Sequence, residues 1–386
     1  MNRRALLSGA AAGGAAALGG CVGGDGDDGD REREEPLDAS IGGAPAFQYD
    51  RRNSGDAATG AVTEADRRFE TSIGDPVYSS PAVVDGVVYV GGGAAVHAGE
   101  AVDGARLWSA DTAGGVRSSP AVADGTVYVG TRGDRMYAID AADGTERWQF
   151  EANGAVDASP AVADGTVYAA SRSIEGQVYA LDAADGTERW RFGTDYRVIS
   201  SPAVADGVVY VGGWDATVYA IDAAAGTERW RVETGQPVLS SPAVADGVVY
   251  VGGNDDTLYA LEGSTGETRW TVDTGGITTT PAVAGGTVYA GTETSDGRIY
   301  GIDAEGGDGT FSVGVSTAVT TPPSVADGAV YAGLRDGDVL AVDATDGGER
   351  WRVETGGEVR AAPTVAGGTV YAGSTDGRLY AFGESR

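Results

Sequence analysis

Read end to end, the chain repeats itself. The stretch Ser118–Phe150 runs SSPAVADGTVYVGTRGDRMYAIDAADGTERWQF, and most of the remaining sequence consists of copies of it. The Pro near its start recurs at Pro81, Pro120, Pro160, Pro202, Pro242, Pro281, Pro322 and Pro363, at intervals of 39, 40, 42, 40, 39, 41 and 41 residues. A period of about 40 to 45 residues holding four short strands is that of a propeller blade, a unit too small to bury its apolar face unless copies stack. Each copy contains four apolar runs. Pro120–Ala123 leads through Asp124-Gly125 into Thr126–Gly130. Asp-Gly between apolar runs is the strongest short hairpin signal, because Gly accepts the positive φ of a type I′ turn. Met136–Asp140 then leads through Ala142-Asp143-Gly144 into Arg147–Phe150. The middle runs are apolar on both faces, which suits sheets stacked blade against blade. Eight copies predict an all-β, eight-bladed β-propeller of four-stranded blades.

In the fourth run Trp148 and Phe150 share a face, since side chains alternate along a strand. The segment Tyr137-Ala-Ile-Asp-Ala-Ala-Asp-Gly-Thr-Glu-Arg-Trp148 resembles the tryptophan-docking motif of the pyrroloquinoline quinone (PQQ) repeat propellers. The motif recurs ending at Trp190, Trp230, Trp270 and Trp351. It is altered before Trp108, where His97 replaces the Tyr and Gly99 the Ile, and at Phe311, which replaces the Trp. The resemblance extends from about Phe47 to the C-terminus and implies that each of these rings docks against the neighbouring blade. Burying such a ring contributes roughly 1.5 to 3 kcal/mol by area.

The ends of the repeat array suggest how the ring closes. Phe69 stands 12 residues before Pro81, the spacing of Trp108, Trp148, Trp190, Trp230 and Trp351 from the Pro that follows each. It therefore occupies the docking position of a fourth strand that has no blade of its own. At the other end Tyr380-Ala381-Phe382 opens a third strand and the sequence finishes at Arg386. An N-terminal strand at Arg68–Ser72 is expected to complete the last blade, which removes two open sheet edges.

Residues 1–21, MNRRALLSGAAAGGAAALGGC, place Arg3 and Arg4 before an Ala/Gly-rich apolar run. This resembles a twin-arginine export signal ending in a lipobox, with Cys21 as the lipid-anchored residue. Cys21 is the only cysteine, so no intramolecular disulfide can form. Residues 22–44 are Gly- and Asp-rich, without hydrophobic period, and read as a disordered acidic tether. Phe47-Gln-Tyr-Asp-Arg-Arg-Asn-Ser-Gly55 is similar to the aromatic/Asn-x-Gly segment that precedes the first blade in many PQQ-repeat proteins, so the propeller is assigned to residues 45–386. The expected location is outside the cell, anchored to the outer face of the cytoplasmic membrane.

The net charge is −30, and all 27 basic residues are Arg. Such an acidic, Lys-free composition resembles that of proteins from extreme halophiles, in which surface carboxylates keep the protein soluble. It argues against general nucleic-acid binding, which needs a basic footprint.

Candidate catalytic groups are few. The recurring Asp140, Asp182, Asp222, Asp303 and Asp343 lie on different blades ahead of turns, where Asp bonds its own backbone, and no spacing forms a calcium loop, so no metal site is assigned. His97 is the only histidine and reads as a replacement for the motif Tyr. Quinoprotein dehydrogenases share the eight-bladed fold, but they are longer chains. Many carry a vicinal disulfide beside the cofactor, which this chain cannot make. A PQQ-dependent dehydrogenase is the alternative reading. The preferred one is a non-catalytic platform without cofactor, similar to BamB-like lipoproteins, monomeric, and partnered by a protein or by an anionic or sugar ligand. The outer-membrane role of those lipoproteins does not transfer to an archaeal halophile, which has no such membrane.

The copies differ most between their second and third runs. Five residues before the motif Tyr or its equivalent stand Arg132, Trp214, Asn254, Arg335 and Thr375, and inserts there carry Arg172 and Glu293. In a propeller these loops open on one face around the channel mouth, where variation between repeats tends to encode binding. Trp214 is the only Trp outside the docking position, and Trp and Arg are enriched among binding hot spots. The plainer reading is that these loops vary for want of constraint, with the Arg paired to neighbours such as Asp134 and Asp336.

Overall fold

The computed structural model describes residues 50, 52, 53, 55–57, 62, 63 and 65–384. Every regular element among them is a β-strand, and these form eight sheets. In the second blade Ala121–Ala123, Thr126–Thr131, Arg135–Asp140 and Glu146–Glu151 run antiparallel in that order from axis to rim. Asp124 and Gly125 take φ values of 47° and 68°, as the type I′ hairpin demands. The other blades repeat this pattern. Their short first strands contact one another around the whole ring, including the junction between the last blade (Thr364–Ala366) and the first (Ala82–Val84).

The last blade is completed from the other end of the chain. Asp66–Ser72 pairs antiparallel with Arg378–Gly383, Phe69 opposite Ala381. The expected closure is therefore observed, with the strand two residues longer at its start.

One position in the repeat alignment is corrected. The Pro that starts the seventh blade is Pro323, not Pro322, because the first strand there is Ser324–Ala326. Ser324 faces Tyr331 as Ala121 faces Tyr128. The flanking intervals are then 42 and 40 residues, and Phe311 lies the usual 12 residues before its Pro. Adjacent prolines hid the register.

The docking rings do contact the next blade, and they act with a partner that the motif did not reveal. Trp148 Nε1 donates to Ala183 O at 3.0 Å, and Tyr128 Oη donates to the same oxygen at 3.1 Å. The two rings lie 5.8 Å apart, tilted by 45°. The same clamp is formed by Tyr89 and Trp108 on Ala141 O, Tyr168 and Trp190 on Ala223 O, Tyr210 and Trp230 on Gly263 O, and Tyr250 and Trp270 on Ala304 O. Where Phe311 lacks the N–H, Tyr289 Oη alone holds Ala344 O. At the seventh blade Trp351 Nε1 donates to Val62 O, while Val62 N–H donates to Tyr331 Oη. The motif Gly meets the ring face: a Cβ on Gly144 would come within 2.8 Å of Trp108. Its φ of 77° also favours Gly there.

The segment ahead of the closing strand enters the axis. Asp56–Ala57 pairs in parallel with Val325–Ala326, and Val244 N–H donates to Arg52 O. Between these points Asn53 is buried, and its Nδ2 donates to Ser201 O, Pro202 O and Pro242 O at 3.2–3.3 Å. Its φ is 54°, a left-handed conformation that Asn tolerates better than most residues. Gly55 lies against Ala282 and Pro323, too close for a Cβ. The Asn-x-Gly signature is thus a strap laid against the inner strands of four consecutive blades.

Candidate functional site: the channel mouth

The loops that enter each blade and those that join its second and third strands lie on the same face. They are stitched by backbone bonds. Thr131 O accepts from Val156 N–H of the next blade's incoming loop, while Arg132 N–H donates to Gly115 O of its own. The bond from Arg132 recurs at Arg172, Trp214, Asn254, Glu293, Arg335 and Thr375, to the carbonyls of Ala155, Arg197, Pro237, Ile277, Ala318 and Glu358. The residues singled out from the sequence therefore occupy one equivalent position around the mouth. A second ring is set by the residue before the hydroxyl that bonds the second strand. Ser118 Oγ takes Gly130 N–H and Ser200 Oγ takes Gly212 N–H, which places Arg117 and Ile199 in the same register. Tyr78, Asp157, Leu239, Thr320 and Arg360 are their counterparts by position.

Charges of these loops pair both within a blade and across neighbouring blades. Arg132 Nε lies 3.4 Å from Asp157 Oδ1, and Arg172 Nη1 bonds Asp157 Oδ2 at 3.0 Å. Arg335 Nε lies 3.7 Å from Glu358 Oε1, and Arg360 Nε bonds Glu358 Oε2 at 2.8 Å. Arg132 and Arg335 thus do pair, but with acids of the neighbouring blade's incoming loop rather than with Asp134 or Asp336. Asp336 instead accepts from Ser316 Oγ at 3.0 Å and from Asp338 N–H at 3.3 Å. Arg117 stacks over the Tyr78 ring at 4.5 Å, and Arg197 over Tyr196 at 5.4 Å. Glu293 is open to solvent, yet surrounding protein strips its hydration and pushes its carboxyl above the usual range, against the pull of Arg360 and Arg335.

Buried side-chain atoms without a hydrogen-bond partner are uncommon in proteins. Among the described residues Arg197 Nε and Trp214 Nε1, both in these loops, are such atoms, whereas Asp157 Oδ1 and Glu358 Oε1 miss hydrogen-bond geometry but face Arg132 and Arg335 in ion pairs. Trp214 is half-buried and takes no part in blade docking.

The other candidates sit elsewhere. Asp140 Oδ1 accepts from Ala142 N–H at 2.9 Å, and its Oδ2 pairs with Arg147 at 2.7 Å. Asp182, Asp222 and Asp343 repeat this with Arg189, Arg229 and Arg350, and Glu262 pairs with Arg269. Asp303 bonds Glu305 and Gly306 N–H. These are turn residues, as expected. His97 is buried, with Nδ1 3.2 Å from Ser109 Oγ, and burial holds its pKa below the ordinary value, with Arg106 adding to the effect. It lies on the third strand of the first blade, Ala95–Glu100. Arg3, Arg4 and Cys21 lie outside the described residues.

A quinone with calcium would need oxygen ligands around the metal. Asp157 and Glu358 are each claimed by two Arg, and among the described residues no three His, Cys, Asp or Glu side chains come together. The residues of the mouth do not fit that pair.

No curated protein sequence matches the chain. Among solved structures, the fold is similar to BamB from Moraxella catarrhalis, with 19% identity, a TM-score of 0.71, and coverage of 83% of this chain and 100% of that one. It is likewise similar to the quinohemoprotein alcohol dehydrogenase from Comamonas testosteroni, with 16% identity, a TM-score of 0.77, and coverage of 92% and 83%. The computationally designed Ika8 protein gives 18% identity and a TM-score of 0.73, over 82% and 99% of the two chains. At these identities the likeness is one of fold alone. The family model described as outer membrane protein assembly factor BamB matches residues 53–175, 137–241, 214–318 and 295–385. Those stretches span the whole array of blades, and the chain belongs to that family of PQQ-like repeat propellers.

Proposed function

We propose that the protein is a non-catalytic binding platform, exported and held by a lipid on Cys21 at the outer face of the cytoplasmic membrane, which receives a partner at the channel mouth. The observation that carries this reading is the ring of loops at the mouth, whose backbone is fixed by bonds between neighbouring blades and on which Trp214 stands half-buried beside the Arg-paired Asp157 and Glu358. A preorganised surface loses little conformational freedom on binding. The sequence supports the location through Arg3, Arg4 and Cys21. Against a dehydrogenase stand the Arg-paired carboxylates of the mouth and the single cysteine.

The test is recovery of partners from membrane extracts in molar salt, comparing wild type with the triple variant Arg132→Ala, Trp214→Ala, Arg335→Ala. The platform reading expects partners enriched by wild type and lost from a normally folded variant. Equal recovery by both would remove the mouth from the account. Stoichiometric binding of PQQ in the presence of calcium would restore the dehydrogenase reading.

A further inference from the structure

Each blade ends at the rim in a fourth strand whose outer edge pairs with no other strand among the described residues. An open edge invites a further strand, and charged side chains are the usual guard against one. Seven of the eight outer strands carry at least two charged residues, as Glu228, Arg229, Arg231 and Glu233 do in the fourth blade. The sixth, Gly309–Gly314, reads GTFSVG, has no charge, and exposes four of its six residues. The chain's own structure does not require its two glycines. Neither has a positive φ, and a Cβ on either would meet nothing within 4 Å. Glycine within a strand leaves room for another backbone to come close.

The two ends of this edge differ. Thr310 stands where the second to fifth and the seventh blades carry Arg. In the flanking blades that Arg holds the acid of the turn, Arg269 with Glu262 and Arg350 with Asp343. Asp303 has instead the N–H groups of Glu305 and Gly306, at 3.1 and 2.7 Å, and Glu305 and Asp308 lie exposed beside it. The flanking turns add no spare cation: Glu262 and Glu267 outnumber Arg269, and Asp343, Asp346 and Glu349 outnumber Arg350. The Gly309 end is therefore acidic. At the Gly314 end the charges are mixed, with Arg298 bonding Ser312 Oγ at 2.7 Å and Asp296 two residues before it. We infer that this edge is a second docking site, at the rim and independent of the mouth, for an extended segment of a partner protein. The segment adds a fifth strand to the sheet: a run of uncharged residues ending in Arg or Lys beside Asp303, Glu305 and Asp308. Main-chain hydrogen bonds to Gly309–Gly314 supply the affinity, and charge-assisted bonds at the acidic end set the register.

The experiment uses the purified full chain in molar salt, where exposed charges act over only about 3 Å, and the fluorescence anisotropy of three labelled ten-residue peptides. The first alternates Thr and Val and ends in two Arg. The second ends in two Glu instead. The third keeps the Arg but has Pro at alternate positions of the run, which removes N–H groups that would pair. The first should bind at least tenfold more tightly than either of the others. Thr310→Arg, Ser312→Arg and Gly314→Glu together copy the outer strand of the fourth blade, so the variant should fold normally and bind the first peptide at least tenfold more weakly. Asp303→Asn, Glu305→Gln and Asp308→Asn together should erase the preference for Arg over Glu and leave the Pro peptide weak. The mouth variant Arg132→Ala, Trp214→Ala, Arg335→Ala should bind the first peptide as wild type does, so this site and the platform reading stand or fall separately. No binding of the first peptide, equal binding of the Pro peptide, or unchanged binding by the edge variant overturns the inference. A wild-type dimer that the edge variant abolishes would give the edge to a second copy and overturn it too.

Discussion

At the scale of single residues, the junction between blades is a clamp of two donors on one carbonyl. Tyr128 and Trp148 both reach Ala183 O. Either can be lost without leaving that oxygen bare, and the chain itself shows this at Phe311, where Tyr289 keeps the bond. Trp148→Phe and Tyr128→Phe should therefore each cost about 0.5 to 1.5 kcal/mol. The double variant should cost more than their sum, because the carbonyl then has no donor. Urea denaturation of the four proteins checks this, and strict additivity would show that the two donors act independently. Burial pushes the equivalent hydroxyls of Tyr210 and Tyr250 up to about 12, so they remain donors across the neutral range. The Trp of each clamp was legible in the sequence because its motif is long and recurs. The Tyr was not, although it stands eight residues after every blade's Pro once Pro323 is the reference. An apolar run containing Tyr reads as core, and nothing local says which neighbour's carbonyl its hydroxyl meets.

At the scale of the element, the turn between third and fourth strands is held by its acid and by the Arg seven residues on. Arg350 holds the Asp343 carboxyl at about 2, with the Thr345 N–H bond adding to the effect. A carboxylate depressed in the folded state contributes stability above its ordinary value near 3.9 and loses it as pH falls through the folded value. Asp343→Asn keeps the turn acceptor and removes the charge. Its thermal midpoint should lie below that of wild type at pH 5, and the gap should close between about pH 4 and about pH 2. A gap constant over that range would mean the ion pair contributes nothing. These turns were readable in advance because Asp-x-x-Asp-Gly bonds its own backbone. The mouth was only half readable: the register that brings Arg132, Trp214 and Arg335 to one ring followed from strand spacing. The partners did not, since Asp157 and Glu358 lie 25 and 23 residues further along and meet the Arg only through the packing of neighbouring blades.

At the scale of the molecule, two pieces of the N-terminal segment hold the ring. Asp66–Ser72 completes the last blade, and Asn53 with Asp56–Ala57 joins the inner strands of several others. Deleting residues 1–75 should lower the thermal midpoint well below that of a variant lacking only 22–40, and equal midpoints would sink the closure. The strap also distinguishes the two ends of the channel. Arg52 lies at the end of the first strands, in a recess of about 320 Å3 with Asp206 and Asp246, opposite the face that carries Trp214. The central claim is that the partner meets the Trp214 face. The direct measurement is photo-crosslinking in native membranes, with a benzophenone amino acid placed at Trp214 in one protein and at Asp206 in another. The account predicts discrete partner adducts from position 214 and none from position 206. Adducts from 206 alone, or equally from both, would contradict it.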